Sequence, residues 1–230
     1  LVINSGDTIR RSDAGLLSAL GWTDAAGAPT YCLEGSLFNA GTVVQWLRDG
    51  LRIIDQADEV NGLALSVPDA GGVMLVPAFT GWGTPHWDPM ARGVMVGLTR
   101  DSSRGHIARA ALEGIALSVA TLVELAEAAI GHGLGELAVD GGAAASDPLL
   151  QAQADSTGLT VRRPSNLEST ARGVALFAGV QAGVVSDLPA LASHRHDGAQ
   201  RFEPQIDTEQ RRRWRERWND AVNRSLGWHG

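Results

Sequence analysis

Apolar positions along the chain begin as short runs broken by turn residues and pass, after position 39, to helical spacing. Leu1-Val2-Ile3 is a short apolar strand closed by the turn-forming run Asn4-Ser5-Gly6-Asp7, and Gly15 to Trp22 gives a second strand. An Ala- and Gly-rich turn from Asp24 to Pro29 leads into a third, Thr30-Tyr31-Cys32-Leu33, so the first part predicts an antiparallel meander. From Asn39, which has the side chain of a helix cap, Ala40, Val43, Val44, Leu47 and Leu51 recur at helical intervals, predicting a helix that ends near Gly50. Val73 to Val76 is a short apolar run. Pro77 to Arg92, carrying Gly81, Gly83, Pro85 and Pro89, reads as a long loop of the kind that is functional or disordered.

The second half alternates. Gly93 to Leu98 is a strand, and Ser103 to Ile130 is the strongest helix, with Ile107, Ala110, Ala111, Ile115, Leu122 and Leu125 on one stripe and Gly131 and Gly133 as its stop. Then come strand Glu136 to Val139, a turn from Asp140 to Ala145, helix Pro148 to Thr157, strand Thr160 to Arg162 and helix Ser169 to Gly183. Strands separated by helices predict parallel pairing. The expected fold class is therefore α/β, a ribonuclease-H-like or actin-like lobe. Its mixed sheet has three antiparallel strands followed by β-α-β-α, with helices on both faces. Asp207 to Leu226, rich in Arg and Trp, predicts a terminal helix that docks on the outside through Trp214, Trp218 and Val222. With no repeat and no linker, residues 1–230 read as one domain, with about 39–98 as an inserted segment.

Composition narrows the class. The chain has 230 residues, 44% of them hydrophobic, enough for a sizeable core. Nineteen basic against 26 acidic residues leave a net charge of −7, which gives no general attraction to nucleic acid or to an anionic membrane surface. The single cysteine, Cys32, excludes an internal disulfide framework and a Cys-based metal cage, and fits a reducing, cytoplasmic setting. No run of eighteen apolar residues predicts a membrane span, and a start at Leu1 rather than Met reads as a piece of something longer. All 19 basic residues are Arg, so neither a lysine nucleophile nor a P-loop lysine exists here.

Four local features carry possible chemistry. Val139-Asp140-Gly141-Gly142-Ala143-Ala144-Ala145-Ser146 lies between a strand and a helix start. Paired glycines there let a ligand approach the backbone, and the N–H groups of the next helix favour an anion or a polar ring edge. The other reading is a tight turn that needs positive φ; the full G-x-G-x-x-G spacing is missing. In the long loop, His86 and Asp88 form either an acid–base pair or part of a rigid loop whose tryptophans pack on the domain. His194-Arg195-His196 reads as a metal fragment or a solvated loop, with no further ligand nearby. Arg211-Arg212-Arg213, Arg215 and Arg217 read as a nucleic-acid patch or, with Glu209, Glu216 and Asp220 interleaved, as an exposed helix face. No G-x-S-x-G elbow surrounds Ser146 or Ser156, so a serine hydrolase has no support.

Five blocks in register resemble the glycerol kinases of the FGGY carbohydrate kinase family. They are Tyr31 to Gly50; Val76-Pro77-Ala78-Phe79-Thr80-Gly81 with Trp87-Asp88-Pro89; Gly93 to Leu98 followed by His106-Ile107 and Ala110 to Glu113; Val139 to Gly142; and Thr170 to Ala175. The resemblance implies the C-terminal lobe of a two-lobed actin-like kinase that moves the γ-phosphoryl of MgATP to a polyol hydroxyl. It implies nucleotide contacts at Gly41 and Gln45, and an adenosine-binding turn at Gly141, Gly142 and Ser146, where the family usually carries Asn at the last position. The general base and the polyol contacts fall in the family's N-terminal lobe, so no catalytic residue and no metal ligand is assigned to this chain, and the lobe alone is expected to be inactive. The implied cofactors are ATP/ADP and Mg²⁺. The implied partners are glycerol or another small polyol or sugar, the N-terminal lobe, and a second copy of the chain in a homo-oligomer. Trp82, Thr84 and His86 replace the family's Leu, Ala and Tyr, and Thr84-Pro85-His86 is similar to the loop of pentulose kinases such as xylulokinase. A third reading is a non-catalytic actin-like lobe whose aromatic terminal helix binds a protein.

Overall fold

Alternating side chains near the start of the chain pair into an antiparallel sheet of β1 (Val2–Gly6), β2 (Leu17–Thr23) and β3 (Pro29–Glu34), in the order β1-β3-β2. The computed structural model describes residues 1–24, 26–185 and 198–228. Ile3 lies opposite Leu33, and Leu33 opposite Ser18, so one face of the sheet carries the period-two apolar set. Ile3 and Leu33 pack with Leu16 against Leu125, Ala126 and Ile130. The opposite row, Val2, Glu34 and Leu17, faces outward.

The segment that follows holds α1 (Gly41–Asp49), α2 (Glu59–Leu65) and an antiparallel ladder of β4 (Met74–Val76) with β5 (Val94–Val96). Periodicity does not announce α2: it has only seven residues and buries Val60 and Ala64 alone. Helix α1 begins two residues after Asn39. The N-cap is Ala40, without a side-chain bond, because the buried Asn39 instead donates to the Thr80 hydroxyl and accepts from Thr42.

Helix α3 (Arg104–Ile130), 27 residues long, is the spine. Ser103 and His106 close its start in a reciprocal capping box, and Gly131 at φ 80° ends it in a left-handed cap. Four apolar clusters sit along it in sequence order. Ala108 to Ala116 meet α1, α2 and the β4 segment; Leu117 meets the terminal helix; Val123 meets the second sheet; Ala126 meets the first. Small residues allow this close contact: a Cβ at Gly114 would collide with the Leu75 carbonyl.

Beyond α3 the chain alternates through β6 (Glu136–Ala138), α4 (Asp147–Thr157), β7 (Thr160–Arg163) and α5 (Ser169–Gln181), then β8 (Gln200–Phe202) and α6 (Thr208–Ser225). β6 and β7 pair in parallel, and β8 joins β7 antiparallel, which makes this sheet mixed. Leu1 packs into both neighbouring clusters and so joins the two three-stranded sheets. Helix α6 starts at an Asp207/Gln210 capping box and inserts Trp218, Ala221 and Val222 between Met74, Val76, Trp82 and Leu117. Among the described residues, no helix is long and apolar enough to cross a membrane. The His194-Arg195-His196 run lies outside the described residues.

Candidate functional site

The glycine-rich turn leaves β6 and closes as a 3₁₀ turn, Gly142–Ala145, before α4. Gly141 has φ 79° and ψ 177°, a region open essentially to glycine alone. Its N–H donates to the Leu167 carbonyl at 2.9 Å, which fixes the turn against the chain leaving β7. A Cβ built on Gly141, Gly142 or Gly41 would meet nothing within 4 Å. The glycine at 141 is thus a conformational requirement, and the space in front of all three backbones is open to another molecule.

Ser146 is the N-cap of α4: its Oγ accepts from the Leu149 N–H at 3.3 Å, and the same hydroxyl donates to Asn61 Oδ1 at 2.6 Å. Asn61 lies on α2, 85 residues away in sequence. Arg163, at the end of β7, braces the turn from behind. It donates to the Ala144 carbonyl at 2.8 Å, pairs with Asp147 at 2.8 Å and packs over the Phe202 ring. Neither Asn61 nor Arg163 carries a signal in the linear sequence; each acquires its part through a distant partner.

Gly41 and Gln45, four apart, share the exposed face of α1. The buried side of the same helix, Val43 and Leu47, enters one core cluster with Val60 and Ala64 of α2 and Leu149 of α4. The five expected residues therefore stand on two helix starts and a turn anchored in common packing.

The remaining features resolve as structure. Asp88 accepts from the Met90 and Gly227 N–H groups, which hold its carboxyl below the ordinary range. Burial pushes the His86 imidazole down, and its ring lies edge-on to Trp82. Thr84 is fully buried and exchanges hydrogen bonds with the Ser36 backbone. Trp82 packs on Trp218, and Trp87 Nε1 donates to Gly15. The arginines of α6 are committed: Arg212 to Glu209 and Glu216, Arg215 to Glu124, Arg211 to the Asp155 carbonyl, and Arg217 to the Gly72 carbonyl. Among the described residues, no three His, Cys, Asp or Glu side chains gather as a metal site. A cavity of about 580 Å³ lies elsewhere, beside Arg109, Glu113, Trp214 and Arg217. Burial there raises the Glu113 carboxyl despite its 2.8 Å pair with Arg109.

The three antiparallel strands, the long spine helix and the alternating β-α-β-α half make the fold that of an actin-like ATPase lobe. The chain belongs to the FGGY family of carbohydrate kinases: residues 1–182 match the family's C-terminal domain. It is 50% identical over 228 residues to the glycerol kinase of Citrifermentans bemidjiense and 47% identical over 229 to that of Pseudothermotoga lettingae. Each match covers 99% of this chain and 46% of the relative, so the chain spans about half the length of the curated relatives it matches. A crystal structure of Plasmodium falciparum glycerol kinase with ADP superposes with a TM-score of 0.88 at 31% identity, covering 98% of this chain and 45% of that one. A xylulose kinase from Lactobacillus acidophilus shares the fold, with a TM-score of 0.74 at 21% identity, covering 96% of this chain and 44% of that one.

Proposed function

We propose that this chain is the nucleotide-binding C-terminal lobe of a glycerol kinase, which transfers the γ-phosphoryl of ATP to glycerol. The observation that carries this reading is the roughly half identity to glycerol kinases along 99% of the chain. The neighbour at 0.88, a glycerol kinase with ADP, supports nucleotide as the ligand. The open turn at Gly141 and Gly142 and the N-terminus of α4 suit a nucleoside. Gly41 and Gln45 offer backbone and amide contacts from the exposed face of α1, whose buried side packs with Leu149 of α4.

In the reaction, a glycerol hydroxyl oxygen bonds to the γ-phosphorus as the bridging P–O bond to ADP breaks. The hydroxyl proton passes to a base that we place in the other half of the enzyme. Such chemistry depends on positioning both reactants in line and on charge neutralisation. Bound together with the nucleotide, Mg²⁺ would supply that charge neutralisation; we assign it no ligand in this chain. The part played by this chain is to bind and orient the nucleotide.

Within the loop that resembles pentulose kinases, the fully buried Thr84 bonds within its own domain. We therefore read that residue as packing rather than as a sugar contact. The test is ADP release by the full-length protein with glycerol and with D-xylulose under saturating MgATP. Glycerol is expected to be strongly preferred; preference for xylulose, or activity with neither, overturns the assignment.

A further inference from the structure

We propose that Asn61, rather than residue 146, supplies the side-chain amide that contacts the purine of the bound nucleotide, with Ser146 as its positioning partner. The inference rests on the nucleotide reading above and adds a residue to it. A serine hydroxyl has one proton to donate and two lone pairs. At Ser146 the proton goes to Asn61 Oδ1 at 2.6 Å, and one lone pair takes the Leu149 N–H. Residue 146 has no donor left for a ring nitrogen.

Asn61 does. Its Oδ1 is held by Ser146, so Nδ2 is directed away from that bond, and it has no protein partner among the described residues. The residue is half-buried, next to Val60 and Ala64, which lock α2 into the core shared with α1 and α4. Two donors are thus held beside the start of α4, on a helix whose position is fixed by packing. A carboxamide on residue 146 itself would reach the same place from the other side of the hydrogen bond. Serine at 146 with asparagine at 61 moves the amide across that bond.

The test uses the full-length protein and steady-state kinetics with ATP. Asn61→Ala is expected to raise the KM for ATP by about five- to tenfold, the loss of one neutral hydrogen bond to a ligand, and the isosteric Asn61→Asp, which also brings a negative charge beside an anionic nucleotide, by at least as much. The KM for the polyol and kcat are expected to change by less than about threefold. Ser146→Ala, which frees the Asn61 amide to rotate, raises the ATP KM by a smaller factor. The double variant Asn61→Ala with Ser146→Asn restores it, an outcome that a merely structural role for Asn61 does not produce. An ATP KM that is unchanged in both Asn61 variants but raised by Ser146→Ala overturns the proposal while leaving the nucleotide reading intact. Absence of nucleotide binding by the unsubstituted full-length protein overturns that reading, and the proposal with it.

Discussion

The backbone at position 141 has φ 79° and ψ 177° with empty space around it, so any side chain there is penalised through conformation and not through a clash. Gly141→Ala is expected to destabilise the fold by about 1–3 kcal/mol, read by urea denaturation, and to weaken nucleotide binding in the full-length protein. Glu113 sets a pH dependence of the opposite sense to that of a paired surface carboxylate. Burial raises its folded-state pKa above the ordinary 4.5, so its neutral form is favoured in the fold. Its contribution is full below that ordinary value and declines as pH climbs through the raised one. Unfolding free energies measured from acid to neutral pH are expected to show this decline in the unsubstituted protein and not in Glu113→Gln; parallel curves contradict it. At this scale the sequence reveals residue types and not partners. Gly41, Gln45, Gly141, Gly142 and Ser146 are picked out, as proposed nucleotide contacts, by family resemblance. Asn61 and Arg163 are not, because their roles arise from contacts that span 85 residues in one case and 19 in the other.

Among the elements, α6 shows how unequal neighbouring side chains can be. Trp218 is fully buried at the centre of a cluster, and Trp218→Ala is expected to cost about 3–5 kcal/mol. Arg215, three residues earlier, is also buried, but its Nε and Nη1 have no partner, and burial lowers its pKa. Its counter-ion Glu124 is largely exposed and stays solvated alone. Arg215→Met is therefore expected to leave stability unchanged or raise it, and thermal unfolding of the two variants side by side separates the cases. Periodicity discloses only the longer elements, while the three-residue β4, β5 and β6 are legible as apolar runs between turn residues. The spine helix repeats its apolar stripe over 27 residues, whereas α2 with seven and β8 with three are too short to show a period. The Asn39 cap misleads for a different reason: tertiary bonds to Thr80 and Thr42 claim the side chain that local preference would give to the helix.

On the scale of the whole molecule, one helix passes through all four apolar clusters, so the two three-stranded sheets and the elements that we propose hold the nucleotide share a single support. The order of strands and helices is enough to predict the α/β class, whereas the division into separate hydrogen-bonded ladders depends on packing that no linear pattern encodes. Residues 1–230 by themselves, mixed with MgATP and glycerol, are expected to release no ADP above background in a coupled assay, while the full-length protein does so; turnover by the isolated chain contradicts the assignment of the base to the other half. The meeting of Trp82 and Trp218, with ring centroids 6.1 Å apart and planes at 47°, reaches beyond packing. Two indoles that near and that tilted couple their electronic transitions. The pair is expected to act as an optical gauge that needs no label: a circular-dichroism couplet present while the terminal helix is seated and lost in Trp218→Phe.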